Sequence, residues 1–186
     1  MILTELSISG LYLLESPVWG DDRGYFREWF KFDDFAAHSA GFHVRQANLS
    51  MSQRNVVRGL HYSVAPEGQA KVVTCAYGTL DDVIVDVRVG SPTFGRVEIV
   101  SLGADQERGV LLPAGVAHGF CVTSDQAALT YLLSSPFNAP MELEINPFDE
   151  ELNIAWKLDG EAIVSDKDKA APSLAQRLAK GQLPQF

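Results

Sequence analysis

Along most of the 186 residues, apolar and polar positions alternate in short runs rather than recurring every three or four. In Val83-Ile84-Val85-Asp86-Val87-Arg88-Val89 the valines fall on one side of an extended chain and Ile84, Asp86 and Arg88 on the other. That period of two marks a strand with one mainly apolar face. VRQANLSM (44–51), VVRGLHYS (56–63), AKVVTCAY (70–77), RVEIVSL (96–102), RGVLLP (108–113), GFCVTS (119–124) and AALTYLLS (127–134) are similar runs of strand-favouring residues. Pro66-Glu67-Gly68, Gly90-Ser91-Pro92, Gly103-Ala104-Asp105 and Pro113-Ala114-Gly115 punctuate them with turn chemistry. Strands about 8–12 residues apart, without helical patterns between them, predict an antiparallel sandwich or barrel rather than βαβ units. Two helices are expected. Residues 32–39 put Phe32, Phe35 and Ala36 on one face, and SLAQRLAKG, from Ser173, spaces Leu174 and Leu178 four apart with Gly181 as a stop. No linker or repeat divides the chain, so residues 1–186 read as a single domain whose polar tail after Trp156 wraps the outside of the barrel.

Composition adds the core. Hydrophobic residues make up 46% of the chain, with 10 Phe, 5 Tyr and 3 Trp, which excludes disorder over most of its length. The net charge of −9 sets up a field that repels nucleic acid and anionic membrane, so neither is an expected partner. No apolar run approaches the roughly 20 residues that span a bilayer. MILTELSISG lacks the basic and apolar regions of a secretory signal, and the expectation is a cytoplasmic protein. Cys75 and Cys121 sit apart in apolar stretches and read as buried free thiols. The charge is uneven. Residues 76–186 carry eight basic against sixteen acidic side chains, whereas Arg45, Arg54, Arg58 and Lys71 are opposed within 43–75 by Glu67 alone. Such a stretch in an acidic chain suits either a small anion or a solvated strand face.

Two of the four histidines stand in settings suited to chemistry. His61 lies in Arg58-Gly59-Leu60-His61-Tyr62, where Gly59 and His61 share one strand face. His118 precedes Gly119, in a turn that leads from Pro113 into a strand. A glycine beside a histidine lets a ligand or another backbone approach closely; two satisfied core histidines are the other reading. His38 and His43 flank the first predicted helix and read as surface residues. Ser63 stands two positions after His61 and His118 has no close His, Cys or acidic companion, so no metal site is expected. No GxSxG elbow surrounds Ser50, Ser52 or Ser63, which argues against Ser-His-Asp hydrolysis. What remains is acid–base chemistry without a cofactor. An imidazole takes a proton from carbon only where a neighbouring group such as a ketone acidifies it. The enolate oxygen then needs a cation or donor, for which Lys71 and His118 are candidates. Tyr131 offers a phenolic O–H as proton donor, or simply lines the barrel.

Seven blocks in order resemble one family. They are Asp22–Glu28, Gln46–Ser50, Val57–Tyr62, Gln69–Val73, Asp82 to Gly95, Pro113–Phe120 and Ser165–Asp168. The chain resembles the dTDP-4-dehydrorhamnose 3,5-epimerase family over essentially its whole length. The resemblance implies a mainly β, antiparallel jelly-roll (cupin-like) barrel with a few short peripheral helices. It also implies a homodimer that uses no metal and no cofactor. The implied reaction is epimerisation of a dTDP-4-keto-6-deoxyglucose-type nucleotide sugar at C3 and C5, in rhamnose or related deoxysugar biosynthesis. A C3-only or C5-only epimerase is the alternative, and a non-catalytic or metal-dependent cupin a more distant one. Residue by residue, His61 matches the general base, Asp168 the carboxylate that hydrogen-bonds it, and Tyr131 the general acid on the opposite face. Lys71 and His118 match the groups around the keto oxygen, while Arg23, Glu28, Gln46, Asn48, Arg58 and Glu142 fall at nucleotide-sugar-binding positions. An Asp on one imidazole nitrogen fixes the tautomer, and Arg forks suit a pyrophosphate. Phe26 and Tyr62 are candidates to stack on the thymine. Relatives place a basic residue where this chain has Met141, which leaves Glu144 as an alternative to Glu142.

Overall fold

The computed structural model describes residues 1–35, 42–104 and 106–186. Two antiparallel sheets face each other, with strands numbered along the chain. One holds, in spatial order, β1 (Ile2–Glu5), β2 (Tyr12–Glu15), β10 (Arg108–Leu112), β7 (Lys71–Tyr77), β12 (Gln126–Leu133) and β5 (Gln46–Gln53). The other holds β13 (Glu142–Glu144), β6 (Val57–Ser63), β11 (Val116–Val122), β8 (Thr79–Asp86) and β9 (Val97–Gly103). β3 (Val18–Asp21) and β4 (Gly24–Arg27) form a separate hairpin. Apart from β1–β2 and β8–β9, neighbouring strands come from distant stretches of chain, and the result is the expected jelly-roll barrel. All eight predicted runs overlap strands, although the run at 83–89 continues past the end of β8 at Asp86; β1 to β4 and the three-residue β13 were too short to show a period.

Burial organises this fold into three apolar layers. Val73, Ile84, Val110, Val116, Phe120 and Leu129 meet between the sheets. Leu60, Tyr62, Val83, Val85, Val87 and Ile145 lie on the outer face of the five-stranded sheet and are covered by Leu174 and Leu183 of the tail. Leu14, Val72 and Leu111, outside the six-stranded sheet, are covered by Phe35 and Phe42. Each fully buried aliphatic side chain contributes about 1.5–3 kcal/mol. The valine face read from 83–89 is therefore real, but it points outward under the tail. The opposite face of β8, with Asp82, Ile84 and Asp86, points into the barrel.

Helices are short and peripheral: α1 (Phe32–Phe35), α2 (Asp166–Lys169) and α3 (Leu174–Ala179). In α1, Phe35 is buried, but Phe32 is exposed and stacks on His43 instead of joining the same face; Ala36 and His38 lie outside the described residues. Ser173 caps α3 in a reciprocal capping box with Gln176. Leu174 and Arg177 supply its buried side, whereas Leu178 faces solvent. Both cysteines are buried. Among the described residues, no helix is long and apolar enough to cross a membrane.

Candidate active site

The site begins where β6 and β11 come unusually close. Gly59 has φ +113°, and a Cβ there would lie 2.6 Å from the His118 carbonyl oxygen. A Cβ at Gly119 would in turn lie 2.6 Å from the Arg58 carbonyl oxygen. Only a pair of glycines lets these backbones pass, and the ladder shifts register here, between His118 and Phe120. His61 and His118 become direct cross-strand partners as a result.

Each imidazole has its own carboxylate. His61 Nε2 donates to Asp168 Oδ1 at 2.8 Å, while the Gly59 N–H donates to Asp168 Oδ2 at 3.3 Å. Asp168 is brought there by the tail, on α2, where Ser165 caps the helix by accepting from the Asp168 N–H. Burial pushes the Asp168 pKa up, but the His61 ring, the Gly59 N–H and the Ser165 hydroxyl together outweigh it and hold the carboxyl below its ordinary range. With Nε2 engaged, Nδ1 is the His61 nitrogen left to accept a proton. The His61 side chain is 44% exposed, so substrate can reach it.

His118 is the buried counterpart. Its Nε2 lies 2.6 Å from Asp82 Oδ1, and the second oxygen of the fully buried Asp82 has no hydrogen-bond partner. Lys71, on the same face of β7 as Val73, is also buried. Desolvation pushes its pKa down, against the pull of the Glu142 and Asp82 charges. Glu142 itself keeps one buried oxygen without a partner. Unsatisfied carboxylate oxygens around a buried cation mark a place arranged for something other than stability.

Tyr131 sits on the facing sheet. It packs, half-buried, against the interior cluster and pairs in register with Asn48 and Val73. Asn48 accepts from Gln46 Nε2 at 2.9 Å, so Gln46, Asn48 and Tyr131 form one polar strip across β5 and β12. Arg58 reaches from β6 to donate to Ser52 on β5 at 3.0 Å. It also lines, with His61, Val164, Lys167 and Asp168, a cleft of about 450 Å³.

Arg23 and Glu28 are not brought to this cleft by their own chain. Arg23 is exposed and bonded to Asp21 on the β3–β4 hairpin, and Glu28, just beyond the hairpin, is exposed as well. The hairpin packs over the outer face of the six-stranded sheet, where Tyr25, Phe26 and Trp29 line a different cleft with Thr74 and Thr130. Of the stacking candidates, Phe26 is 66% exposed there, whereas Tyr62 is fully buried under the tail. Tyr62 donates its hydroxyl to the Gln182 carbonyl at 3.0 Å and so is unavailable to a base. The basic stretch is split likewise: Arg58 and Lys71 reach the site, Arg54 pairs with Asp125, and Arg45 is exposed.

Two charged residues, Asp82 and Lys167, escaped the sequence reading as site components. Asp82 lies just before the valine run, on the face that enters the barrel; counting the alternation back from Ile84 would have found it. Lys167 adjoins Asp168 at the cleft. Glu144 turns out to bind Lys167 and Arg177, which leaves Glu142 as the glutamate beside Lys71. Among the described residues, no three His, Cys, Asp or Glu side chains group as metal ligands would.

The chain is similar to known proteins over nearly its whole length. The model of a family described as dTDP-4-dehydrorhamnose 3,5-epimerase matches residues 5–176. A dTDP-4-dehydro-6-deoxyglucose 3-epimerase of Streptomyces bikiniensis is 43% identical over 182 residues, covering 97% of this chain and 93% of the relative. A dTDP-4-dehydrorhamnose 3,5-epimerase of Mycolicibacterium smegmatis is 42% identical over 187 aligned residues, covering 99% and 91%. In structure, the chain is similar to a 4-keto-6-deoxy sugar epimerase from the novobiocin biosynthetic gene cluster of Streptomyces spheroides. The TM-score is 0.96 at 42% identity, covering 100% of this chain and 94% of that one.

Proposed function

This chain belongs to the dTDP-4-dehydrorhamnose 3,5-epimerase family, and we propose that it inverts C3 and C5 of a dTDP-4-keto-6-deoxyhexose without metal or cofactor. The observation that carries this reading is the accessible His61 held by Asp168 on one sheet, with Tyr131 on the sheet that faces it. C3 and C5 both flank the C4 ketone, so their protons are acidic enough for an imidazole to remove. His61 Nδ1 takes the proton, and Asp168 stabilises the resulting imidazolium. The electron pair moves into an enolate whose oxygen is met by Lys71 and the His118 ring. Tyr131 then supplies a proton to the opposite face and is recharged from solvent.

The nucleotide half needs cations and polar edges. Arg58 and Lys167 at the cleft suit a diphosphate, and Gln46, Asn48 and Glu142 suit the sugar and base. Arg23 and Glu28 lie on the far side of their own barrel, and a homodimer gives them a role, because a hairpin can reach a neighbour's cleft where it cannot reach its own. A cytoplasmic setting, where nucleotide sugars are made, belongs to the same reading.

Incubation with dTDP-4-keto-6-deoxyglucose in D2O, followed by NMR, tests the proposal. Deuterium at C3 and C5 with inversion at both is expected, unchanged by prolonged chelation. His61→Ala should lower exchange at both carbons by about 10²–10⁴-fold while the fold survives. Exchange that persists in that variant would remove His61 as the base. A second reading, inversion at C3 alone, is favoured by the equal similarity to a 3-epimerase, and deuterium at C3 without C5 would establish it.

A further inference from the structure

The carboxylate that orients His61 is not built on the barrel. Asp168 sits on α2, a helix of four residues in the tail, too short to hold a position by its own hydrogen bonds. Its placement therefore depends on tethers. Upstream, Ile163 joins Asn55 and Val57 through backbone hydrogen bonds, and downstream Asn146 Nδ2 donates to the Lys169 carbonyl at 2.9 Å. Besides these and the Gly59 N–H that donates to Asp168 itself, a further tether is ionic and bears on the residue next to Asp168. Lys167 Nζ lies 3.0 Å from Glu144 Oε2.

Glu144 is placed to act as a shared reference point. It lies on β13 directly in register with His61 on β6, so one residue is coupled through the sheet ladder to the base. Through Lys167 it is coupled to the carboxylate that orients that base. Its other oxygen faces Arg177 of α3 at 3.4 Å, and Arg177 Nε donates to the Glu144 carbonyl at 2.9 Å. The Glu144 and Arg177 side chains are 16% and 7% exposed, so this half of the cluster is shielded from the solvent screening that weakens surface pairs. Lys167 itself is mostly exposed and becomes ordered by the fixed carboxylate.

We infer that Glu144 is a positioning residue for the reaction: its carboxylate clamps α2 and α3 to β13 and thereby sets Asp168 at hydrogen-bond distance from His61. It touches neither the reacting carbons nor the nucleotide. The inference rests on the epimerase reading for its kinetic consequence but not for its structural one. Misplacing a catalytic group by about 1 Å can cost up to about 10²-fold in rate, so a loosened clamp should be visible in kcat.

The experiment compares wild type with Glu144→Gln, which keeps shape and removes charge, and with Lys167→Met, which breaks the same contact from the exposed side. Two readouts are taken: kcat on dTDP-4-keto-6-deoxyglucose, and the downfield proton signal of the His61 ring N–H bonded to Asp168. That signal is assigned by its loss in His61→Asn and needs no substrate. Glu144→Gln should lower kcat about 10–100-fold and broaden or shift the signal, with dTDP affinity within about threefold of wild type. Lys167→Met should disturb the signal in the same way even where its KM also rises. A kcat loss with an untouched signal would mean that Glu144 acts on substrate, and no change in either would mean that the clamp is idle; both overturn the inference. If the wild-type protein fails to turn the sugar over, the epimerase reading falls, and the signal in the two variants still decides the clamp. A signal unchanged in Glu144→Gln but lost in Lys167→Met would also overturn it, because α2 would then be held by Lys167 without Glu144.

Discussion

Asp82 and Asp86 lie four residues apart on the same face of the same strand, and neither has any exposed surface. Their surroundings are opposite. Asp86 accepts from the Arg88 N–H at 3.1 Å, from Arg88 Nε and Nη2 at 2.8 Å, and from the Ser91 and Thr93 hydroxyls at 2.6 Å. Burial pushes its pKa up, but Arg88, Ser91 and Thr93 overcome that and bring it to about 2. Asp82 has one bond, to His118, and one orphaned oxygen. A buried carboxylate with every lone pair occupied serves the fold, because an ion pair in low dielectric is tolerable only when fully satisfied. One left half-occupied beside a histidine and a lysine costs stability, and its compensation lies in chemistry. The same strand thus carries a structural end and a functional end, distinguished by hydrogen-bond completeness rather than by burial.

Substitutions should separate these ends in opposite directions. Asp86→Ala leaves the buried Arg88 charge uncompensated and should cost about 3–5 kcal/mol of stability, read by denaturant unfolding. Turnover per folded molecule should stay near wild type, and a folded but inactive Asp86 variant would break the distinction. Asp82→Asn preserves an acceptor for His118 but removes a negative charge that favours the Lys71 cation against desolvation, the cation assigned to the enolate oxygen. It should lower kcat about 10–100-fold while the unfolding free energy changes by no more than about 1.5 kcal/mol, because the amide oxygen keeps a neutral hydrogen bond to His118 in place of the charged one. Ser91→Ala should lose about 1 kcal/mol of stability and no activity.

A further effect is in acid. Because the folded pKa of Asp86 is depressed, its stabilisation is complete above the ordinary carboxylate value of 3.8 and is lost as pH falls toward about 2. Unfolding midpoints between pH 4 and pH 2 should fall in the wild type and fall less steeply in Asp86→Asn. Equal slopes would mean that another carboxylate, such as the likewise depressed Asp168, dominates the acid limb.

Local pattern made much of this architecture legible and left the site half written. Period-two alternation found β5 to β12, and the glycines beside His61 and His118 marked the close approach of β6 and β11. The direction of the β8 faces was not readable, since both sides are buried and an apolar face fits either the barrel interior or the layer beneath the tail. The His61–Asp168 contact joins residues 107 positions apart. Nothing in local spacing encodes so long a closure, and Asp168 was assigned through resemblance to relatives. Tyr62 failed as a stacking candidate for a related reason: its aromatic character was evident, but the tail that covers it was not.

That the carboxylate beside His61 arrives on the tail has a consequence for the order of synthesis. Chains emerge and begin to fold from the amino end, so β6, β11 and β8 can close around His61 and His118 before residue 168 is made. A nascent barrel would then hold its imidazoles without the group that fixes the tautomer of one of them. Competence to move a proton would come as a late event, separate in time from the collapse of the sheets, and would coincide with the docking of α2.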